Sequence, residues 1–329
     1  VITRKLNCFN LPWPVDWPAL FGVARPLLVE IGFGNGDFLL HLATTRPECS
    51  IIGLEISNQS LEKAEARIAR HALANAVAIH SRAETALHHL LEPQSVQEFH
   101  INNPDPWFKN RHSGRRLIQP DTVAALVSRL VPGGLLYLAT DVPAYAEMSH
   151  EVLSSTPGLT NTLPAPWVDA LPGRIVTKYE ARGLRQGNPP KMFCYRRNDQ
   201  PAPAIPVLKE QDMPHLLLKT PMTPAEILER FTRMTCHDGP ETHIIFMQGY
   251  LSQGGRGLLF ETTLREPTIE QHIGLMLFPR DEPGEYTLRY AAMGMPRITA
   301  GLHTATRCLG DWIVSLHPEA AITASRLRT

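Results

Sequence analysis

Leu27-Leu28-Val29-Glu30-Ile31-Gly32-Phe33-Gly34-Asn35-Gly36-Asp37 is the stretch on which the reading of this chain turns. A short apolar run, as a buried strand requires, passes straight into glycines at alternate positions. A helix-like pattern over 37–45 follows. Outward from that loop the alternation continues. Ile51-Ile52-Gly53-Leu54-Glu55 reads as a second strand, and Ser57 as the N-cap of a helix over 58–73, with Leu61, Ala64, Ile68 and Ala72 on one face. Third and fourth strands are expected at 77–79 and 96–101, a helix after Pro120, and a fifth strand at 135–139. Strands alternating with helices mean a parallel sheet covered on both faces, an α/β domain. Strand-like runs near 173–180 and 191–197 lie closer together and predict an antiparallel edge.

The glycine loop also limits the ligand. Its spacing is G-x-G-x-G, and Glu30 precedes it while Asp37 follows. A dinucleotide places its pyrophosphate at the helix N-terminus, where two carboxylates repel it. A ligand with an amino group and a sulfonium is favoured instead, and S-adenosylmethionine fits that description. Glu55 ends the second strand, where a carboxylate can accept both ribose hydroxyls of an adenosine. A solvent-facing Glu55 on a generic nucleotide-fold turn is the competing reading.

Residues 99–119 read Phe-His-Ile-Asn-Asn-Pro-Asp-Pro-Trp-Phe-Lys-Asn-Arg-His-Ser-Gly-Arg-Arg-Leu-Ile-Gln. Pro104 and Pro106 stiffen the chain around Asp105 and hold it at the carboxyl end of the sheet. Lys109, Arg111, Arg115 and Arg116 follow with no acid among them. The pattern suits a loop that contacts a polyanion, against the plainer reading of a solvated basic loop. Residues 174–197 hold seven basic residues and the single acid Glu180, a second basic segment for a phosphate track. Trp107 suits either stacking on an extruded base or packing.

These segments resemble the bacterial tRNA (guanine(46)-N7)-methyltransferase family. The resemblance rests on Val-Glu-Ile-Gly-Phe-Gly-Asn-Gly at 29–36, Gly-Leu-Glu-Ile at 53–56 and Asn-Pro-Asp-Pro-Trp-Phe-Lys-Asn-Arg-His with Arg-Arg-Leu-Ile-Gln-Pro at 103–120. Leu-Ala-Thr-Asp at 138–141 and Thr-Lys-Tyr-Glu-Ala-Arg-Gly at 177–183 complete it, over roughly 22–197. It implies a Rossmann-like class I S-adenosylmethionine-dependent methyltransferase that acts on guanine N7 in the tRNA variable loop, in the cytoplasm. Glu30, Gly32, Gly34, Gly36, Glu55, Ile56, Arg82 and Ala83 would hold the cofactor, and Asp105 would be the active-site carboxylate. Lys109, Asp141, Thr177, Lys178, Tyr179 and Glu180 would contact the substrate. Arg111, His112, Arg115, Arg116 and Arg182 would contact RNA. For Asp141 a helix N-cap is the competing reading, and for Glu180 a surface strand. The family commonly has Asp or Asn before the alanine at the position of Arg82-Ala83. A guanidinium accepts no hydrogen bond from the adenine amino group. The backbone or Glu84 then takes over, or cofactor affinity falls.

Lys+Arg and Asp+Glu both number 32, so nucleic-acid binding has to come from local patches. No apolar run approaches the ~18 residues of a membrane span, and no metal-ligand spacing occurs. The five cysteines read as scattered single residues, as suits a reducing cytosol. The chain shows no signal peptide; it starts at Val1 without Met, so preceding sequence is expected. A first domain over 1–198, a proline-rich linker over 199–220 and a smaller α+β domain over 221–329 are expected. In the last, a helix over 224–235 precedes strands at 243–251, 257–265, 270–278 and 285–292 and a closing helix over 298–316. Residues 201–329 carry 12 basic and 14 acidic residues, so this is no electrostatic RNA-binding module.

Overall fold

The computed structural model describes residues 6–107, 114, 116–291, 293 and 295–328, with Lys178 and Tyr179 described by their backbone alone. The chain divides into two compact units, Val1–Leu208 and Lys209–Thr329.

The first unit is built on strands β1 (Leu6–Asn7), β2 (Leu27–Ile31), β3 (Ser50–Glu55), β4 (Ala76–His80), β5 (Val96–Asn102), β6 (Leu130–Thr140), β7 (Leu159–Asn161) and β8 (Lys191–Arg197). Their order across the sheet is β1-β4-β3-β2-β5-β6-β8-β7. β1 through β6 are mutually parallel, while β8 runs antiparallel to β6 and β7 antiparallel to β8. From β2 the chain moves outward through β3 and β4, then returns to the other side of β2 with β5. The strand order therefore reverses at β2 and β5, and a crevice opens there at their carboxyl ends, where open α/β sheets bind ligands. This is the Rossmann-like class I architecture.

β2 is buried along its whole length, as a central strand of a two-sided sheet must be. One face packs Leu28, Phe33, Phe38, Leu39 and Leu42 with Ile51, Leu61 and Ala64 of the following elements. Each such Leu, Ile or Phe side chain contributes about 1.5–3 kcal/mol on burial. Gly53 is needed for close approach: a Cβ there would lie 2.5 Å from the Phe33 ring.

The expected strand at 173–180 is absent. Thr177 instead N-caps a helix, Lys178–Arg185. Its hydroxyl accepts the Glu180 amide, and the Glu180 carboxylate accepts the Thr177 amide. Thr-x-x-Glu is a capping box, and that signal outweighs the apolar run before it. The second antiparallel strand is β7, in the proline-bearing stretch after the helix Pro143–Ser155.

The second unit holds β9 (His215–Lys219), β10 (Met234–Asp238), β11 (Thr242–Leu251), β12 (Leu258–Glu266), β13 (Ile269–Pro279), β14 (Glu285–Ala291) and β15 (Ala321–Arg326). They form one antiparallel sheet in the order β10-β11-β12-β13-β14-β9-β15. Leu216, Phe246, Phe260, Leu275 and Leu288 pack with Leu302, Leu309 and Ile313 of the helix Ala300–Ser315. The helix expected over 224–235 stops at Arg230, and β10 follows. It too starts on a capping box, Thr223 with Glu226, and it ends where Phe231 turns to extended backbone.

The stretch read as a linker is ordered. Ile205, Pro206 and Leu208 are bonded within the first unit, and His215–Lys219 is an interior strand of the second sheet. Pro214 and Pro221 flank the Leu216-Leu217-Leu218 run and leave its amides available to pair. The reading of five single cysteines is also corrected. Cys8, Cys49 and Cys194 are free and buried, but Cys236 of β10 and Cys308 of the closing helix form a disulfide. They lie 72 residues apart, so spacing alone could not pair them.

Candidate active site

Gly32, Gly34 and Gly36 all adopt positive φ, which L side chains rarely tolerate, so the loop can bend back at alternate residues. Gly36 then serves as N-cap of the helix Asp37–Thr45 without a side-chain oxygen to cap it. Glu55 braces the loop from the end of β3. Its Oε2 accepts the Gly34 amide at 3.0 Å, and Oε1 accepts the Ile56 and Ser57 amides at 2.8 and 3.0 Å. Ile56 is 64% exposed beside it, an apolar surface at the end of a strand. Arg82 stands at the start of the helical turn Ala83–Thr85, after β4, with its guanidinium 3.4 Å from Glu84. Ala83 is buried.

Glu30 is the deepest group of the site, only 1% exposed. Asn102, at the end of β5, donates to Glu30 Oε1 at 3.0 Å, and Glu30 Oε2 finds no partner. Burial, aided by the Glu55 and Asp37 carboxylates, pushes its pKa up to about 8, against the opposing pull of Asn102 and Arg174. Among the described residues no cation is bonded to either of its oxygens. This buried acceptor, the bent glycine loop, the Glu55 carboxylate and the exposed Ile56 fit a cofactor with an amino group at one end and an adenosine at the other.

Beyond β5 the backbone leaves the sheet through Asn103, at φ 50°, to Pro104, Asp105 and Pro106, and Trp107 follows at φ 42°. Asp105 is exposed at the carboxyl end of the sheet. Arg116, expected to contact RNA, donates from Nε to Pro106 O at 3.1 Å and from Nη2 to Trp107 O at 3.2 Å. It holds the Asp105 loop in shape. Lys109, Arg111, His112 and Arg115 lie outside the described residues.

Asp141 does not cap a helix: the helix Pro143–Ser155 has Val142 as N-cap. Asp141 lies against the helix Lys178–Arg185, where a Cβ on Gly183 would come within 2.9 Å of its Oδ2. Nor is Glu180 on a surface strand. It is fully buried, bonded to Thr177 and 3.2 Å from Arg174 Nη2. Arg182 is exposed on the same helix. The basic segment at 174–197 is thus divided in role, because Arg174 and Arg197 are interior groups, Arg197 donating to Leu130 O.

Sequence reasoning passed over Asn102 and the structural role of Arg174. The adjacent Asn102-Asn103 pair, placed where a strand meets a Pro-Asp-Pro turn, is the signal that pointed to the first. His237 and His243, read as ordinary, are cross-strand neighbours in the second unit with Nδ1 atoms 2.8 Å apart. No group of three or more potential metal ligands occurs among the described residues, and none of their helices is long and apolar enough to cross a membrane.

A sheet that reverses at β2 and β5, with a glycine loop, a buried acid and a second carboxylate at the end of β3 beside the switch point, defines a class I methyltransferase. A family model described as a putative methyltransferase matches residues 24–193, about half of the chain. The tRNA (guanine-N(7)-)-methyltransferase of Paracidovorax citrulli is 42% identical over 188 residues, 56% of this chain and 74% of that protein. That of Burkholderia vietnamiensis is 44% identical over 175 residues, 53% of this chain and 68% of that protein. The Cupriavidus necator enzyme is 40% identical over 179 residues, 54% and 68% of the two chains. The chain belongs to the tRNA (guanine-N(7)-)-methyltransferase family. The unit Lys209–Thr329 lies beyond the residues that the family model matches.

Proposed function

We infer that this chain methylates guanine N7 of tRNA, in the variable loop, and that it works in the cytoplasm, where tRNA is found. S-adenosylmethionine, when bound, supplies the activated methyl group. Glu30 and the glycine loop hold its amino-acid end, and Glu55 and Ile56 its ribose and adenine. Arg82 offers the adenine amino group no acceptor, so Glu84 or the backbone takes that contact.

The N7 atom carries a lone pair and no proton, so the chain needs no general base. On transfer the N7–carbon bond would form as the carbon–sulfur bond broke, leaving the positive charge on the guanine ring. A fixed carboxylate facing that ring stabilises the charge as it develops, without reorganising. Asp105 takes that role: it is exposed between two prolines, at the carboxyl end of the sheet, on a loop that Arg116 ties down. Asp141 and the 177–180 segment border the substrate, and the basic residues of 109–116 with Arg182 contact phosphates. The observation that carries this reading is the placement of Glu30, Glu55 and Asp105 around one switch point in a chain of this family.

The test is methyl transfer from labelled cofactor to bulk tRNA, followed by strand cleavage at 7-methylguanosine. Asp105→Ala should lose transfer in single turnover by at least a hundredfold while cofactor affinity stays within threefold. Retention of most of the wild-type rate would remove Asp105 from the reaction.

A further inference from the structure

Two of the buried arginine side chains of the first unit, Arg129 and Arg174, have opposite bonding states. Arg129 is fully buried, and each guanidinium nitrogen has a partner: Nε on Leu87 O, Nη1 on Ser128 Oγ and Ile205 O, Nη2 on Pro206 O. The Arg174 side chain is 8% exposed and satisfied on one nitrogen only. Nη2 donates to Asn102 Oδ1 at 2.7 Å and Glu180 Oε1 at 3.2 Å, while Nε and Nη1 have no partner. The Phe38 ring lies 4.6 Å from the guanidinium carbon and covers its face, not its N–H edge.

The backbone around Arg174 is pinned. His41 Nε2 lies 2.9 Å from Gly173 O, and Ile175 packs against the core next to the glycine loop. Asn102 spans the remaining gap. Its Oδ1 takes Arg174, and its Nδ2 gives to Glu30, whose own Oε2 is unpartnered. One amide therefore separates an unsatisfied buried cation from an unsatisfied buried acid. Phe38, beneath the guanidinium, belongs to the first turn of the helix Asp37–Thr45, into which the glycine loop leads.

A single ligand that answers both vacancies carries a carboxylate and an ammonium on neighbouring atoms. We propose that Arg174 binds the α-carboxylate of the cofactor's amino-acid end while Glu30 binds its ammonium, with Asn102 fixing their spacing. The proposal rests on the reading of this crevice as the S-adenosylmethionine site. Because Arg174 also bonds Glu180, the same residue ties the cofactor's polar end to the first turn of the helix Lys178–Arg185.

Two ligands separate this role from a structural one. S-adenosylhomocysteine carries the amino-acid end; 5′-methylthioadenosine has the same adenosine and thioether without it. Titrated calorimetrically into the full chain, both bind the wild type. Arg174→Gln should weaken S-adenosylhomocysteine at least tenfold and leave 5′-methylthioadenosine within twofold. Equal loss of both would make Arg174 a packing residue, and loss of neither would exclude any contact; either overturns the proposal. Arg174→Lys, which keeps the charge beside Glu180, covers the case in which Arg174→Gln unfolds. It should weaken S-adenosylhomocysteine at least threefold with 5′-methylthioadenosine unchanged, and any other pattern counts against the assignment. A wild type that binds neither ligand would sink the cofactor reading itself.

Discussion

Glu55 and Gly34 are joined across the mouth of the crevice: the carboxylate at the end of β3 accepts the amide in the middle of the glycine loop at 3.0 Å. The acid assigned to the ribose therefore also shapes the loop. A loop amide and the two amides after Glu55 share its two oxygens.

Glu55→Gln should cost on both counts. A carboxamide offers one acceptor oxygen and turns an amino group toward backbone N–H donors. We expect about 1–2 kcal/mol less stability in urea unfolding, together with at least tenfold weaker S-adenosylhomocysteine binding. Unchanged stability would mean that the loop holds its shape without the brace.

Glu180 and Thr177 should differ in what they cost. Glu180→Ala leaves Arg174 buried without its carboxylate partner, and breaking one side of a buried pair costs about 3–5 kcal/mol. Thr177→Ala removes a helix cap, worth about 1 kcal/mol. Equilibrium unfolding checks the order. If the two costs are equal, the buried pair is not what holds this segment.

The proton on Glu30 makes stability and binding depend on pH. Its pKa is about 8 in the folded chain, against an ordinary value of 4.5. Between those values the folded chain keeps a proton that the unfolded chain has lost, so stability falls as pH rises through the window. Glu30→Gln should flatten that slope. Binding of a cation against Glu30 should release nearly one proton at pH 7. Calorimetry in buffers of different ionisation enthalpy measures it, and zero release would mean that Glu30 is already ionised.

The end of the first unit can be located by truncation. A chain ending at Leu208 keeps Ile205 O and Pro206 O on Arg129, and Leu208 bonded to His88 and His89. A chain ending at Asn198 strips those carbonyls from a fully buried guanidinium. It should be less stable by several kcal/mol, in line with an uncompensated buried charge. Equal melting temperatures for the two would show that residues 199–208 contribute nothing to the core.

The alternation of strands and helices from Leu27 to Thr140 was legible because buried parallel strands need continuous apolar runs, and these are local in sequence. The glycine loop and the Pro-Asp-Pro turn were legible for a related reason: each imposes a backbone conformation that few residues allow. The helix at Lys178–Arg185 was also written locally, as Thr177-x-x-Glu180, but a strand-like run masked it. Tertiary structure alone decided that Glu180 lies inside, that Arg116 holds the Asp105 loop, that Cys236 meets Cys308, and that Leu216-Leu217-Leu218 is an interior strand. It also decided that Asn102 stands between Glu30 and Arg174. Each of these depends on groups far apart along the chain, whose meeting is set by sheet order and by the need to pair charges once they are buried.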